Sequence, residues 1–190
     1  MVKLLRISVY VFFGFTLLAG LIYPLIITGF AQLFFPYQAN GSLITKNSNV
    51  VGSALIGQYF DQPKYFWGRL SSTGVQPYNA SASGGSNLSA TNPDLVNNVR
   101  NRIQELTRVD SNNSLPVPVD LVTSSGSGLD PDISVTAALY QAGRVARARG
   151  LQVEQVSSLI QTHIQNRLFG FLGEARVNVL QLNLALDELK

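Results

Sequence analysis

Apolar residues are concentrated at the start of the chain, where Ile7 to Phe35 runs for 29 residues without a charged side chain. As a helix this run would reach roughly 43 Å, which exceeds the ~30 Å hydrocarbon core of a bilayer. A signal peptide has a shorter apolar stretch and then a cleavage site, whereas apolar residues here continue past Ala19 and Gly20. The pattern therefore predicts an uncleaved transmembrane helix over residues 7–35.

The charges that flank this run predict its orientation. Lys3 and Arg6 precede the run, and the first charged residue after it is Lys46. Positive residues are retained on the cytoplasmic side of a membrane helix. We therefore expect residues 1–6 in the cytoplasm and residues 36–190 outside, as in a single-pass protein of the bacterial plasma (inner) membrane with a periplasmic domain.

Small side chains within the run suggest a contact face for another membrane helix. Thr16 and Gly20 form a small-xxx-small pair, with Gly14 nearby, and such pairs allow the backbone of a neighbouring helix to approach. The alternative is that these residues reflect only the general frequency of small residues in membrane helices. The lipid bilayer is the expected partner on the remaining faces.

After residue 35 the pattern alternates between helical and strand-like stretches, which predicts a small α/β (α+β) domain. Capping residues and apolar spacings of three and four predict helices that start at the N-cap Asn92, run from the N-cap Ser134 through Arg149, and run from Val153 to Arg167. In the first of these helices Arg102 is expected on the polar face. Strands are predicted over Ser48–Gln58, Val117–Thr123 and Val177–Leu184, the last with a helix as the competing interpretation.

Two stretches between these elements stand out by composition. The aromatic residues from Tyr59 to Trp67 are expected in the core rather than at an interface. Ser71 to Asn92 is rich in Ser, Gly, Asn and Pro and has no periodic pattern. Loops of this length are uncommon in compact domains and are often functional or disordered, and we expect an ordered contact loop.

Composition and charge narrow the classes of function. The chain is 46% apolar and 13% charged, and its formal net charge is +3, of which Lys3 and Arg6 supply two units. A nucleic-acid partner would require clustered basic side chains, and none occur beyond Arg144, Arg147 and Arg149. There is no cysteine, so the exported domain must be stable without disulfides.

Catalytic and metal-binding patterns are also missing from the sequence. The single histidine, His163, lies beside the apolar face of a predicted helix, and no Gly-x-Ser-x-Gly elbow occurs. Asp130 and Asp132 are too few for a metal site and are expected to interact favourably with the start of the following helix. The Gly-rich stretch Ser124–Gly128 has the position of a phosphate-binding loop but lacks the Gly-Lys-Ser/Thr of a P-loop. We predict no catalytic residue and no metal ligand, and nucleotide binding stays an alternative.

Several ordered blocks together resemble the C subunits of Kdp-type potassium-transporting P-type ATPases. The resemblance covers the whole chain and is carried by Gly52–Gln58, Tyr65–Ser71, Tyr78–Asn87, Thr91–Pro93, Ser125–Ser134, Tyr140–Ala146 and Val177–Asn183. Leu70, Asp132 and Gly143 depart from the family's usual Pro, His and Pro. The aspartate at 132 weakens any proposal that a histidine there binds a metal or accepts protons.

The resemblance implies a non-catalytic accessory subunit, needed for assembly and stability and positioned over the extracytoplasmic potassium entrance. Its implied partners are a potassium-binding channel-like subunit, the P-type ATPase subunit that carries the catalytic aspartate, and a small single-helix subunit. An alternative proposal for the family is a nucleotide-binding chaperone that raises the ATP affinity of the ATPase subunit. ATP is accordingly the only cofactor implied. The expected interface or nucleotide-loop residues are Arg69, Ser83, Gly84, Gly85, Ser86, Asn87, Ser125, Gly126, Ser127, Gly128, Asp130, Gln141 and Arg144.

Overall fold

A computed structural model describes residues 1–189. The chain forms two compact units, the first Met1–Ile44 and the second from Thr45 onwards. The first unit is helical, and its elements are α1 (Val2–Leu17), a π-helical turn (Leu18–Ile22), α2 (Tyr23–Phe34) and α3 (Pro36–Ala39). Together Val2–Phe34 form one apolar helix of 33 residues, long enough to cross a membrane and with none of its apolar window buried. The predicted long apolar helix is thus confirmed as a helix. The π turn ends at Ile22, two residues before Pro24, which has no N–H to donate to the preceding turn.

Two small sheets follow along the chain. Strands β1 (Leu43–Lys46) and β2 (Asn49–Ser53) pair with each other. Strands β3 (Asp132–Ser134), β4 (Ile164–Gln165) and β5 (Arg176–Asn178) form an antiparallel sheet with β5 at its centre. The register places Val177 between Ile133 and Ile164, so that one face of the sheet is apolar.

Five α-helices and a short 3-10 helix (Ala80–Ala82) accompany these strands in the described part of the second unit. The α-helices are α4 (Pro93–Val109), α5 (Val119–Val122), α6 (Val135–Arg149), α7 (Val153–Thr162) and α8 (Val179–Leu186). The starts predicted from caps are confirmed, since the Asn92 side chain accepts from Asp94 N and the Ser134 side chain accepts from Ala137 N. Gly150 ends α6 in the left-handed conformation that glycine tolerates, at φ 68°.

The core lies where α6, α7 and α8 meet the three-stranded sheet and the aromatic segment. Fully buried side chains come from every one of these elements, among them Phe66, Val145, Ile160, Val177 and Leu182. The prediction that the aromatic cluster is core is confirmed for Phe66 and Trp67, while Tyr59 is exposed.

Three predicted strands are wrong in whole or in part. Residues 117–123 contain the helical turn α5 instead, which buries the adjacent Leu121 and Val122. The strand predicted over Val177–Leu184 ends at Asn178, because that side chain accepts a hydrogen bond from Gln181 N and starts α8. The strand predicted over residues 48–58 ends at Ser53.

Two helical details also differ from the sequence prediction. The helix predicted to reach Arg167 ends at Thr162, with His163 as its C-cap. Arg102 is buried instead of lying on the polar face of α4, while Ile103 is exposed. The contacts of Arg102 described below explain this exchange.

Candidate functional site

The scaffold of the candidate site is an extended segment held by two buried amide side chains. Asn183 of α8 accepts from Phe66 N at 2.8 Å and donates to Phe66 O at 3.0 Å. Gln141 of α6 makes the same pair of bonds with Trp67, at 2.8 Å and 3.1 Å. Side chains thereby replace the partner strand that the backbone polar groups of this segment would otherwise need.

Trp67 is further held by cation–π contacts with two arginines. The guanidinium carbons of Arg102 and Arg144 lie 4.9 Å and 4.7 Å from its ring centroid. Arg102 also donates to Leu121 O and Gly68 O, and Arg144 donates to Gln141 Oε1 at 2.6 Å. Burial lowers the pKa of Arg144 to about 10, so the residue remains charged at neutral pH.

From this segment the chain enters the first of two loops, defined here as loop 1 (residues 69–87) and loop 2 (residues 124–130). Arg69 opens loop 1 and reaches into loop 2, where its Nη1 lies 3.1 Å from Asp130 Oδ2 and its Nη2 donates to Ser124 O at 3.2 Å. The ion pair is partly exposed, so we attribute orientation of the loops to it rather than much stability.

Hydroxyl groups of loop 1 complete the junction. Ser71 Oγ donates to Gly128 O at 2.7 Å and accepts from Tyr78 N at 2.8 Å. Tyr78 OH donates to Arg69 O at 2.6 Å, and burial raises the pKa of Tyr78 to about 12. Thr73 Oγ1 donates to Gln76 O and accepts from Asn79 N. Loop 1 is therefore an ordered structure that is bonded to loop 2 at several points.

The glycine-rich centres of the two loops lie against each other. Gly84 N and Ser83 Oγ both donate to Ser127 O, at 2.8 Å and 3.0 Å. A Cβ on Gly85 would lie 3.0 Å from Gly126 O. Gly85 thus allows close approach of the two backbones, which is a packing role.

A groove with a volume of about 420 Å³ lies beside this junction. Its lining is mixed polar and apolar, and includes Ser71, Ser86, Asn98, Arg102 and Glu105. One wall comes from loops 1 and 2 and the other from α4. The groove could accept a polar side chain or a loop of a partner.

Asp130 and Asp132 line another surface depression, and neither of them caps the N-terminus of α6. Asp130 pairs with Arg69, and Asp132 Oδ2 lies 2.8 Å from Arg176 Nε. Ser134 caps α6, and its own N–H donates to Asp120 at 2.8 Å. The prediction that Asp130 and Asp132 interact with the helix start is therefore wrong. Burial raises the pKa of Asp132, with the neighbouring Asp130 carboxylate acting in the same direction.

Loop 2 does not fit the phosphate of a nucleotide. Three of its backbone N–H groups have partners within the protein, since Ser125 N donates to Leu70 O, Gly128 N to Ser125 Oγ and Leu129 N to Ser127 Oγ. At its end the Arg69 guanidinium is paired with the Asp130 carboxylate, so this positive charge is already engaged within the protein. Strand β3 separates loop 2 from α6, so the loop is not at a helix N-terminus.

Not all of the predicted site residues come together. Loops 1 and 2 join most of them, whereas Gln141 and Arg144 lie in the core and hold Trp67. The three small residues of the apolar helix lie in the first unit, where Gly20 falls within the π turn. Sequence reasoning missed the connecting roles of Ser71, Thr73 and Tyr78, although Ser71 and Tyr78 stood in the blocks that carry the family resemblance. Among residues 1–189, no group of three or more His, Cys, Asp or Glu side chains could hold a metal ion.

Comparison with known proteins gives one consistent result. The family model KdpC, described as "K+-transporting ATPase, c chain", matches residues 5–188. A potassium-transporting ATPase KdpC subunit of Herpetosiphon aurantiacus is 60% identical over 176 residues, which cover 93% of this chain and 91% of that protein. The protein of the same name from Polaromonas naphthalenivorans is 57% identical over 190 residues, covering 100% of this chain and 97% of the relative. In Methylococcus capsulatus the corresponding protein is 57% identical over 175 residues and 92% of either chain.

Proposed function

Since this chain belongs to the KdpC family of K⁺-transporting ATPase c chains, we propose that it is the non-catalytic accessory subunit of a high-affinity, ATP-driven potassium import complex. In this role it assists assembly and stability of the complex. The observation that carries the proposal is the match over residues 5–188, which includes both the apolar helix and the two interlocked loops.

Its partners in this proposal are the three kinds of subunit that the resemblance implies. They are a potassium-binding channel-like subunit, the P-type ATPase subunit that carries the catalytic aspartate, and a small single-helix subunit. The apolar helix Val2–Phe34 anchors the chain in the bilayer beside them. Lys3 and Arg6 keep its start in the cytoplasm, so that the second unit faces outside and covers the potassium entrance.

The geometry of loops 1 and 2 supports a binding role rather than a chemical one. Their hydroxyl and backbone groups bond to each other, as in the Ser71–Gly128 and Ser83–Ser127 contacts, so the loops keep a fixed shape without a ligand. A preformed polar surface of this kind loses little conformational entropy when a partner binds. The adjoining groove, which Ser86 and Glu105 help to line, offers the partner a recess.

The alternative of a nucleotide-binding chaperone has less support. It requires loop 2 to receive phosphate groups, but the N–H groups of Ser125, Gly128 and Leu129 are engaged within the protein. It also requires the second unit to meet cytoplasmic nucleotide, in conflict with the orientation proposed from Lys3 and Arg6. The accessory role is therefore the better-supported proposal.

The helix contact face is part of the proposal. A Cβ added at Gly20 meets nothing within 4 Å, so the surface there is open to a neighbouring helix. Gly29 is equally open, and nine residues of helix place it about half a turn away from Gly20. The two glycines therefore offer a matched pair of test positions.

Purification of the affinity-tagged full-length chain from membranes in mild detergent tests the proposal. We expect the wild type to retain the ATPase and channel-like subunits, Gly20→Ile to retain clearly less, and Gly29→Ile to retain about as much as the wild type. Equal recovery with both variants would contradict the contact face alone. Absence of every ATPase subunit from the wild-type preparation would contradict the subunit role.

A further inference from the structure

The loop that connects β4 to β5 has an exposed apolar tip. We call residues Leu168–Leu172 the apolar knob. Leu168, Phe169, Phe171 and Leu172 are 62%, 79%, 70% and 48% exposed. Together they present roughly 500 Å² of apolar side-chain surface, as much as the largest apolar patch of a typical monomer, and such patches mark interaction sites.

The knob has a fixed shape because its backbone is bonded to itself. Leu168 N donates to Leu172 O and Leu172 N donates to Leu168 O, both at 2.9 Å. Gly170 N donates to Arg167 O at 3.1 Å, and Phe171 N to Leu168 O at 3.3 Å. These N–H groups need no water, so the knob can enter an apolar environment without leaving them unpaired.

The charges at the base of the knob distinguish a protein pocket from a lipid surface. Arg167 Nη2 lies 2.5 Å from Glu174 Oε2, and Arg176 is paired with Asp132. The base therefore has no surplus of positive charge to attract anionic lipid headgroups. The segment from Arg167 to Glu174 also lacks Trp and Tyr, the aromatic residues that are enriched at the bilayer interface.

We propose that the apolar knob inserts into an apolar, uncharged pocket on another subunit of the same ATPase complex. Phe169 and Phe171 would act as its aromatic anchors, since buried aromatic side chains dominate the binding energy of many protein interfaces. The knob alone is smaller than the roughly 800 Å² that each partner contributes to a standard interface, so it is an anchor within a larger contact. This inference rests on the proposed function.

Photocross-linking in intact membranes tests the inference. A photoreactive benzoylphenylalanine replaces Phe169 in the tagged full-length chain. Val119, which is 73% exposed in α5 and lies outside loops 1 and 2, serves as the control position. We expect a cross-link from position 169 to a subunit that co-purifies with the chain, in several-fold higher yield than from position 119. Cross-linking to lipid alone, to an unrelated protein, or to nothing would overturn the inference. The proposed function would survive those outcomes as long as the ATPase subunits still co-purify.

A double variant adds a functional readout. Phe169→Ser combined with Phe171→Ser should leave the thermal unfolding temperature of the isolated chain nearly unchanged, because both side chains are exposed in it. The same variant should lower recovery of the complex at least several-fold after detergent washing. Val119→Ser, at an exposed apolar position outside loops 1 and 2, is the matched control. Full recovery of the complex by the double variant would show that the knob is not an anchor.

Discussion

Replacing Gly128 with alanine is expected to destabilise the second unit through the junction of loops 1 and 2. Gly128 has φ +69°, and a Cβ there would lie 2.5 Å from Thr73 Cγ2 and 2.8 Å from Gly84 O. Thr73 cannot turn away freely, since its hydroxyl is engaged with Gln76 O and Asn79 N. Gly126, two residues earlier, provides the control, because a Cβ there meets nothing within 4 Å and its φ is not positive.

Two contributions set the expected size of the effect. A non-glycine residue in the left-handed conformation costs about 1 kcal/mol or more. Overpacking against Thr73 and the Gly84 carbonyl costs roughly another 1–3 kcal/mol. The sum for Gly128→Ala is about 2–4 kcal/mol, which in a unit of this size lowers the melting temperature by about 5–12 °C. Gly126→Ala should change stability by about 0.5 kcal/mol or less.

Fluorescence of Trp67 offers a direct assay on the full chain in detergent. It is the only tryptophan in the sequence, and its side chain is buried in the core of the second unit. Thermal and denaturant unfolding of the wild type, Gly128→Ala and Gly126→Ala would be compared under identical conditions. Equal stability of Gly128→Ala and Gly126→Ala would refute the reasoning that the loops are interlocked through this glycine.

Three further predictions concern the same unit. Tyr78→Phe removes the hydrogen bond to Arg69 O and the titrating hydroxyl, whose pKa in the folded wild type is raised to about 12. The unfolding free energy of the wild type should therefore fall by about 2–3 kcal/mol relative to that of the variant as pH rises from 10 past 12. A pH-independent difference in unfolding free energy would contradict this. Gln141→Leu leaves the backbone N–H and C=O of Trp67 without their partners. It should lower the free energy of unfolding in denaturant by about 2–5 kcal/mol. A loss below about 1 kcal/mol would contradict the role of the Gln141 amide. Because burial raises the pKa of Asp132 above 3.8, the Asp132 carboxyl keeps its proton to higher pH in the folded state than in the unfolded state. Asp132→Asn should therefore gain stability relative to the wild type as pH rises from about 3 to 7. A constant difference in melting temperature across that range would contradict the raised pKa.

Features that are determined by contacts within a few residues could be predicted from the sequence. The starts of α4 and α6 were predictable because Asn92 and Ser134 bond to N–H groups within three residues. The tail was partly mispredicted for a similarly local reason, since Asn178 caps α8 in the middle of an alternating stretch. Period-two spacing over a few residues is too weak a signal to exclude a short helix.

The contacts that shape the candidate site are long-range and carry no local signal. Gln141 and Trp67 are 74 residues apart, and Asn183 and Phe66 are 117 apart. Arg102 is buried because its guanidinium contacts the Trp67 ring and donates hydrogen bonds to two backbone carbonyls. The apolar spacing along α4 had instead predicted Arg102 on the polar face of that helix. The loops were identified by composition, but the way in which they interlock required the structure.

The side of the membrane on which the second unit lies is the central claim, because a cover over the potassium entrance must face outside. The natural absence of cysteine allows a single-cysteine test with Ser86→Cys, at an exposed position of loop 1, and Val2→Cys as the opposite control. Intact cells would be treated with a maleimide that crosses the outer but not the inner membrane, before and after permeabilisation of the inner membrane. The account predicts labelling at residue 86 in intact cells and at residue 2 only after permeabilisation. Labelling at residue 2 in intact cells, with residue 86 protected until permeabilisation, would contradict it.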